Sequence, residues 1–582
     1  MVPVLWALLV LACLAVYSVA SHLRWHRTGL PLHGVPAFFL GAVVCVILGT
    51  GIWLAVGVFR NGLGWIISRD VLRGTTGSMA VVLSLTVLFY SVESWRGKRA
   101  WNQVTSQLIR HGESMDPKTF LPPAVSPQQD FAQAPIFSPL TRSTPGMKID
   151  KARMIQADSE PLKLILYWFE NALMRQSGIG FAPWLQAQTT DLEPWLGLCQ
   201  KALDAPHASA QKDRRDIAAE ILRILSPLDN LMDELRVYSD RPYCRLPFNY
   251  DLPMFSDDPS ERILLAFLRV LRLRATAELA LHRNDRAFQD LQLALRLAEY
   301  LRQQPSLFFH DPRAWAFADG LQPLWEAIQE HRWNARQLEA IQRQLLTFKP
   351  LADYPDRLRF IAFANALFVE TIIPTRPVET GHPDFGPEGQ SEIRWLRRFY
   401  PKGWSLQDQA AIYQQWLKSR VPPPPESPFP SHSAGDSLFV RQLLRGSSDP
   451  FFPIFLVPRI VQMQSDLNEF MPFMQAVTDL AALACAMERF RLVHSAYPET
   501  LDLLVPAFLD QLPTDCMSNA PMQYRYVDRQ SCVLYSVGLD RQDNGGQASP
   551  RQQNWQGELQ PEFDLSKNDW VWSLHTSNSP PQ

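Results

Sequence analysis

The sequence predicts a mainly α-helical protein. It is expected to have three transmembrane helices, an irregular α-helical soluble domain of bundle or solenoid-like form, and a small C-terminal α+β module with a β-hairpin. Three observations predict this. Long apolar runs are confined to the stretch before residue 94, where each is long enough to cross a bilayer core about 30 Å thick. From Pro161 to about Arg420 apolar residues recur at three- and four-residue spacing, the period of a helix with one buried face. Beyond Met522 the period changes to two, in a pair of short segments separated by Asp528-Arg-Gln-Ser531.

On this pattern the chain divides into a transmembrane anchor (1–94), a juxtamembrane helix with a Pro-rich tether (95–158) and an α-helical domain (159–420). A Pro-rich linker (421–450), a helix-plus-hairpin module (451–548) and a polar tail (549–582) complete it. A chain of 582 residues exceeds the size at which one core keeps growing, so more than one unit is expected. The formal net charge of −2 and the lack of a Lys/Arg block argue against nucleic acid as a partner. Cys199, Cys244, Cys485, Cys516 and Cys532 form no C-x-x-C pair, which disfavours a zinc ribbon.

The anchor consists of runs at 1–20, 36–59 and 75–92. Ser18-Val19-Ala20 has the small-x-small spacing of a signal cleavage site, but the basic n-region is missing, so an uncleaved first helix is expected. Gly41, Cys45 and Gly49 lie four apart and would let a neighbouring helix approach closely. Trp95-Arg-Gly-Lys-Arg-Ala-Trp101 opens a polar helix with two tryptophans where interfacial anchors belong; a lipid-headgroup site is the sharper alternative. Within the tether, Phe131 and Phe137 are candidate docking points.

In the helical domain the patterns at 273–281 and 286–301 flank the breaker His282-Arg-Asn-Asp285 and predict an antiparallel helix pair. Ala287, Leu291 and Ala294 have the spacing of a tetratricopeptide-type second helix, but Arg274 and Glu278 stand where bulky residues belong, so no repeat array is expected. Trp325, Trp333, Leu338 and Leu345 suggest a second pair.

Catalytic constellations are sparse. Gly435-Asp436-Ser437-Leu438 spells an esterase nucleophile block, but it follows a Pro-rich stretch with no strand, and Asp569 with His575 has the wrong spacing for base and orienter. A helix N-cap explains it better. No His-Glu-x-x-His, Walker or dinucleotide glycine pattern occurs, and Asp257-Asp258 sits where a cap would. His22 and His26, four apart, could share a helix face, though their Arg and Trp neighbours point to interfacial anchoring.

After a helix with Leu480, Leu483, Met487 and Phe490 on one face come Tyr497-Pro-Glu-Thr-Leu, a short helix at 500–509, Leu512-Pro-Thr-Asp515, Tyr524-Arg-Tyr526 and Leu534-Tyr-Ser-Val-Gly-Leu-Asp540. Met522, Tyr524 and Tyr526 share one face of the first strand, and Val533, Tyr535 and Val537 one face of the second; both faces are expected to close over the helix stripe. Cys516 and Cys532 are close enough in sequence to staple the hairpin. This order of motifs, with Gly545-Gly546 after it, resembles the globular part of type II secretion major pseudopilins. It also looks like the C-terminal part of planctomycete and verrucomicrobial membrane proteins of uncharacterised function. The likeness departs from a pilus subunit in having an internal helix and no prepilin-type cleavage site before it. It implies a small export-associated fold and a calcium loop, for which Asp540 and Asp543 with backbone carbonyls supply the oxygens. Two carboxylates are few for a six- to eight-oxygen shell, so a metal-free Asx/Gly turn is the competing reading, and no other cofactor is implied.

The function expected is therefore a bacterial inner-membrane, multi-pass protein acting as a non-enzymatic envelope scaffold or interaction component, with the lipid bilayer and an envelope protein as partners. A membrane-anchored enzyme or enzyme subunit with its site in the helical domain, or an auxiliary transporter subunit, are the alternatives. Arg60, Arg69 and Arg73 against Arg24, Arg27, Arg96, Lys98 and Arg99 favour a cytoplasmic soluble part. The signal-like first run and the pseudopilin resemblance favour the periplasm, where the expectation rests.

Overall fold

The computed structural model describes residues 34–62, 69–114, 117–120, 123–137, 165, 182–202, 213–246, 259–304, 312–372, 402–419, 457–553 and 559–574. In chain order the helices begin with α1 (Gly34–Asn61), α2 (Arg69–Arg110), α3 (Glu193–Ala202), α4 (Arg214–Leu225), α5 (Asp229–Tyr238), α6 (Pro259–Ala280) and α7 (Asn284–Gln303). They continue with α8 (Pro312–Gly320), α9 (Gln322–Gln329), α10 (Ala335–Thr347), α11 (Tyr354–Ile372), α12 (Lys402–Ser419) and α13 (Val457–His494). The strands are β1 (Gln523–Asp528), β2 (Ser531–Ser536), β3 (Arg551–Gln553), β4 (Leu559–Phe563) and β5 (Trp570–Leu574). The protein is thus mainly helical with a small open antiparallel sheet. It forms two units, one drawn from Met1–Met115, Asn365–Lys418 and Ala434–Val461, the other from Asp116–Ala364, Ser419–Ser433 and Gln462–Gln582.

In the first unit α1 and α2 form a helical hairpin, and the Trp53 indole lies against Gly74, where a Cβ would clash with it. The apolar runs at 36–59 and 75–92 fall inside these helices; the run at 1–20 lies outside the described residues. At 42 residues α2 extends about 63 Å, roughly twice a bilayer core. Its polar half carries α12. Gly97 and Gly403 bring the two backbones together so closely that a Cβ on either would strike the other helix. Beside them the buried Glu93 carboxylate accepts from Trp404 Nε1 at 3.1 Å, Gln407 Nε2 at 2.9 Å and Arg96 Nη1 at 2.8 Å. Phe89 and Trp101 extend the contact through Trp404 and Tyr413.

The second unit is built on the predicted antiparallel pair, now α6 and α7, which turn at His282 with a left-handed φ of 59°. Ala287, Leu291 and Ala294 are buried as expected, and so are Trp325, Trp333, Leu338 and Leu345, but α10 packs on α7 and α9 on α6 where the sequence suggested that the two would pair. A capping box at Asn334 and Gln337 starts α10. Phe131 and Phe137 dock fully into this core, Phe131 stacking on Tyr300 with centroids 4.4 Å apart.

Helix α13 departs from the amphipathic stripe that the sequence suggested: every residue from 470 to 488 is buried. Trp315 of α8 meets Phe473 at 5.5 Å on one side and Trp570 of β5 meets it at 5.3 Å on another. A helix covered all round needs apolar or paired side chains on its whole circumference, and α13 has both. From Gln462 onward the chain therefore belongs to the same unit as α6–α10. The short helix expected at 500–509 is one 3₁₀ turn, Leu501–Leu504.

The hairpin forms where expected, with β1 antiparallel to β2 and Tyr524 opposite Leu534. Its second face requires a correction. Cys532 and Leu534 join the main core with the helices, while Val533 and Tyr535 pack with Val571 on the other side. All six residues of β2 are buried, so alternation could not tell which set faced the helix. The second layer exists because the stretch read as a polar tail supplies a strand: β5 pairs with β2, giving the order β1-β2-β5. Trp570 and Trp572 are fully buried there.

Candidate functional site

Asp540 and Asp543 lie in the turn after β2, where the sequence placed a calcium loop. Asp540 Oδ1 accepts from Gln542 N at 3.0 Å, and its Oδ2 accepts from Asn568 N at 3.0 Å and Asn544 Nδ2 at 3.2 Å. Asp543 Oδ1 accepts from Gly545 N at 2.9 Å and from the Tyr535 hydroxyl at 3.0 Å. A third carboxylate, Asp569, comes from just before β5. It is fully buried and accepts from Asn544 N at 3.3 Å and Gly546 N at 2.7 Å. Burial pushes its carboxyl above the ordinary range, and Asp543 and Asp540 add to that push against the two N–H bonds. These oxygens fix an Asx/Gly turn, with Gly546 against Val533 and Tyr535 where a Cβ would crowd them. No group of three or more His, Cys, Asp or Glu side chains fit to hold a metal occurs among the described residues. The donor set fits a hydrogen-bonded turn better than a calcium shell.

The other sequence candidates divide simply. Gly435 to Leu438, His22, His26, Asp257, Asp258 and His575 lie outside the described residues. Cys516 and Cys532 are not bonded to each other; the Cys516 thiol donates to the Pro472 carbonyl at 3.6 Å, and burial holds both thiols well above their ordinary range.

Three of the buried ionic centres among the described residues of the second unit escaped the sequence. The first holds the segment before α3 against α8 and α9. Glu326 accepts from Thr190 N at 2.8 Å, Thr190 Oγ1 at 2.6 Å, Gln322 Nε2 at 2.9 Å and Arg214 Nη2 at 2.7 Å. Asp319 receives Ala182 N at 3.0 Å, and Gln322 Oε1 receives Trp184 N at 2.7 Å. Ala182 and Ala187 both hold left-handed φ values, 43° and 54°, a conformation that costs about 1–2 kcal/mol for a residue with a Cβ. The side-chain acceptors offset that cost by ordering the strap. Arg272, 1% exposed, stacks over Trp195 at 4.7 Å and reaches Thr190 Oγ1 at 3.2 Å, while its Nε and Nη1 find no hydrogen-bond partner among the described residues.

In the second centre Asp290 of α7 binds Arg236 of α5 and Arg274 of α6, and Arg274 also reaches Asp229 at 2.5 Å. Arg274, the residue that spoiled the repeat pattern, is therefore an internal tie. The third centre is Glu488 of α13, with no exposed surface, which accepts from Arg491 Nε at 2.8 Å, Arg491 Nη2 at 2.7 Å and Tyr497 Oη at 2.9 Å. His331 Nδ1 lies 3.0 Å away. Burial alone would raise the Glu488 carboxyl, but the hydrogen bonds from Arg491 and His331 outweigh it and hold the group below its ordinary value. One carboxylate is less well served. Among the described residues Asp479 accepts a 2.9 Å bond from Gln475 alone, with Asp515 nearby and Lys349 the compensating cation, and burial pushes it up to about 6.

Each centre links helices or loops, with the Glu326, Asp290 and Glu488 carboxylates turned inward onto donors, an arrangement that orders structure. A cavity lined by Leu268, Phe317, Phe348, Met471, Arg302 and Arg313 holds about 10 Å³, room for about one water. Among the described residues, the helical stretches Val71–Arg110 and Glu469–His494 are long and apolar enough to cross a membrane; the apolar window of the second is wholly buried and that of the first not at all. Met79, Leu83 and Val87 of α2 and Ile52, Val56 and Phe59 of α1 stand exposed, Phe59 at 96%.

Compared with protein-family models, curated proteins and solved structures, the chain matches none of them.

Proposed function

We propose that the protein is an integral membrane scaffold. Its α1–α2 hairpin, with the apolar run at 1–20 as a third span, anchors a helical unit that engages another envelope protein. The observation that carries this reading is the α2 apolar window, none of which is buried, together with the Glu326 and Glu488 carboxylates of the second unit, which are tied to internal donors. Water offers such a window nothing, whereas a bilayer core takes helices that are apolar all round. The bacterial inner-membrane setting and the periplasmic side rest on the resemblance of the C-terminal motifs to major pseudopilins. A membrane-anchored enzyme with its site in the helical unit would need an open pocket with converging ionisable groups; the closed centres at Glu326, Asp290 and Glu488 favour the scaffold.

Flotation of the full chain with liposomes through a density gradient tests the anchor. The chain is expected to rise with the lipid at high salt and alkaline pH. A chain that stays at the bottom as a monodisperse soluble species would exclude it.

A further inference from the structure

We propose that α2 carries a binding groove for one anionic phospholipid, with Thr86 and Val87 at its acyl end and Ser94 and Lys98 at its phosphate end. The inference rests on the membrane reading above and names the ligand of that anchor. The groove is shallow and open, about 560 Å³ in volume, and its described lining lies wholly on α2. Its lining changes character along the helix. Thr86 and Val87 lie within the apolar run, Tyr90 and Ser91 follow, and Ser94, Trp95 and Lys98 lie past its end. The threonine and Ser91 hydroxyls are turned onto their own helix, donating to Val82 O at 2.8 Å and Val87 O at 2.7 Å, so the inner end presents little polarity.

From Thr86 to Lys98 the helix rises about 18 Å, enough to run from the outer hydrocarbon layer into the headgroup region. Positions 90, 94 and 98 follow four apart and so share one face. Trp95 is 60% exposed beside them, in the position of an interfacial aromatic.

Charge decides the headgroup. The only acid of α2 after the apolar run, Glu93, is buried and taken up by Arg96, Trp404 and Gln407. Arg99 stacks over Trp95 at 5.5 Å. Among the described residues Lys98 makes no ion pair or hydrogen bond, and it is exposed. The groove therefore ends in uncompensated positive charge at the level where lipid phosphates lie, which suits an anionic lipid better than a zwitterionic one.

The full chain, extracted from membranes in mild detergent, would be assayed by native mass spectrometry for phosphatidylglycerol retained per chain. Lys98→Glu is compared with the distant exposed control Lys201→Glu. Thr86→Phe is the second variant, filling the apolar end without touching charge. The expected result is stoichiometric phosphatidylglycerol in the wild type and control, and a drop of about threefold or more in Lys98→Glu and Thr86→Phe. Added phosphatidylcholine is expected not to replace it. Equal retention in all variants by a chain that still floats with liposomes would overturn the groove and leave the anchor standing. A chain recovered without detergent and free of lipid would overturn both.

Discussion

Trp184 and Trp572 meet with ring centroids 4.6 Å apart and planes at 47°. One precedes α3 and the other lies in β5, so the contact ties the strap at 182–192 to the sheet. Trp325 Nε1 and Gln329 Nε2 reinforce it by donating to the Ser573 carbonyl at 2.9 and 2.5 Å. Trp572→Ala should therefore destabilise the second unit by about 3–5 kcal/mol, and removal of residues 559–582 should abolish its cooperative unfolding. Urea titration followed by tryptophan fluorescence checks both. An unchanged midpoint in either variant would mean that β5 is dispensable.

Asp479 is expected to lower stability at neutral pH. Its folded carboxyl, at about 6, lies above the unfolded value near 3.8, so the native state binds more protons and stability falls as pH rises between them. Asp479→Asn keeps an oxygen for Gln475 and removes the charge. It should raise stability at pH 7 by up to about 3 kcal/mol, and by much less at pH 4. Thermal melts of both proteins at the two pH values test this; a variant less stable at pH 7 would contradict it.

Glu488 should act in the opposite sense. Its folded carboxyl lies below the ordinary 4.5, so its contribution is present above that value and is lost as pH falls through the folded one. Glu488→Gln leaves Arg491 short of its anion and should cost about 3–5 kcal/mol at pH 7, with the difference from wild type shrinking as pH falls below the ordinary 4.5. Denaturant midpoints at pH 7 and pH 3 measure it. A constant difference would show that the ionised carboxylate is not what stabilises the site.

Calcium should leave the melting temperature unchanged. The oxygens of Asp540, Asp543 and Asp569 already accept N–H and Tyr535 O–H donors, and Asp540→Asn is expected to disturb the turn equally with or without the ion. A rise of several degrees at millimolar calcium, absent in Asp543→Asn, would restore the calcium loop.

Local features were legible in the sequence and long-range ones were not. The breaker at His282–Asp285 marked the α6–α7 turn because charged and turn-forming residues interrupt a clear helical period there. The hairpin was marked by its change to a period of two. Burial on both sides of β2 erased the signal for which face met the helix, and α13 showed a stripe where the whole circumference is covered. The tail's Trp570-Val-Trp572 alternation was the overlooked sign of a strand. The ionic centres had no local signature, since they join Thr190 to Glu326 and His331 to Glu488 across more than a hundred residues. Arg274 was noticed only as a misfit in a repeat, and the structure supplies its reason in Asp290 and Asp229.

The membrane anchor is tested most directly by a spin label on α2. With Cys13, Cys45 and Cys516 replaced, Leu83→Cys carries a label in the centre of the apolar window and Arg525→Cys one on the exposed edge of the sheet. In reconstituted liposomes, relaxation of the Leu83 label should respond to oxygen dissolved in lipid and not to a water-soluble nickel complex, with the reverse at Arg525. Nickel access at Leu83 equal to that at Arg525 would place the hairpin in water and contradict the anchor.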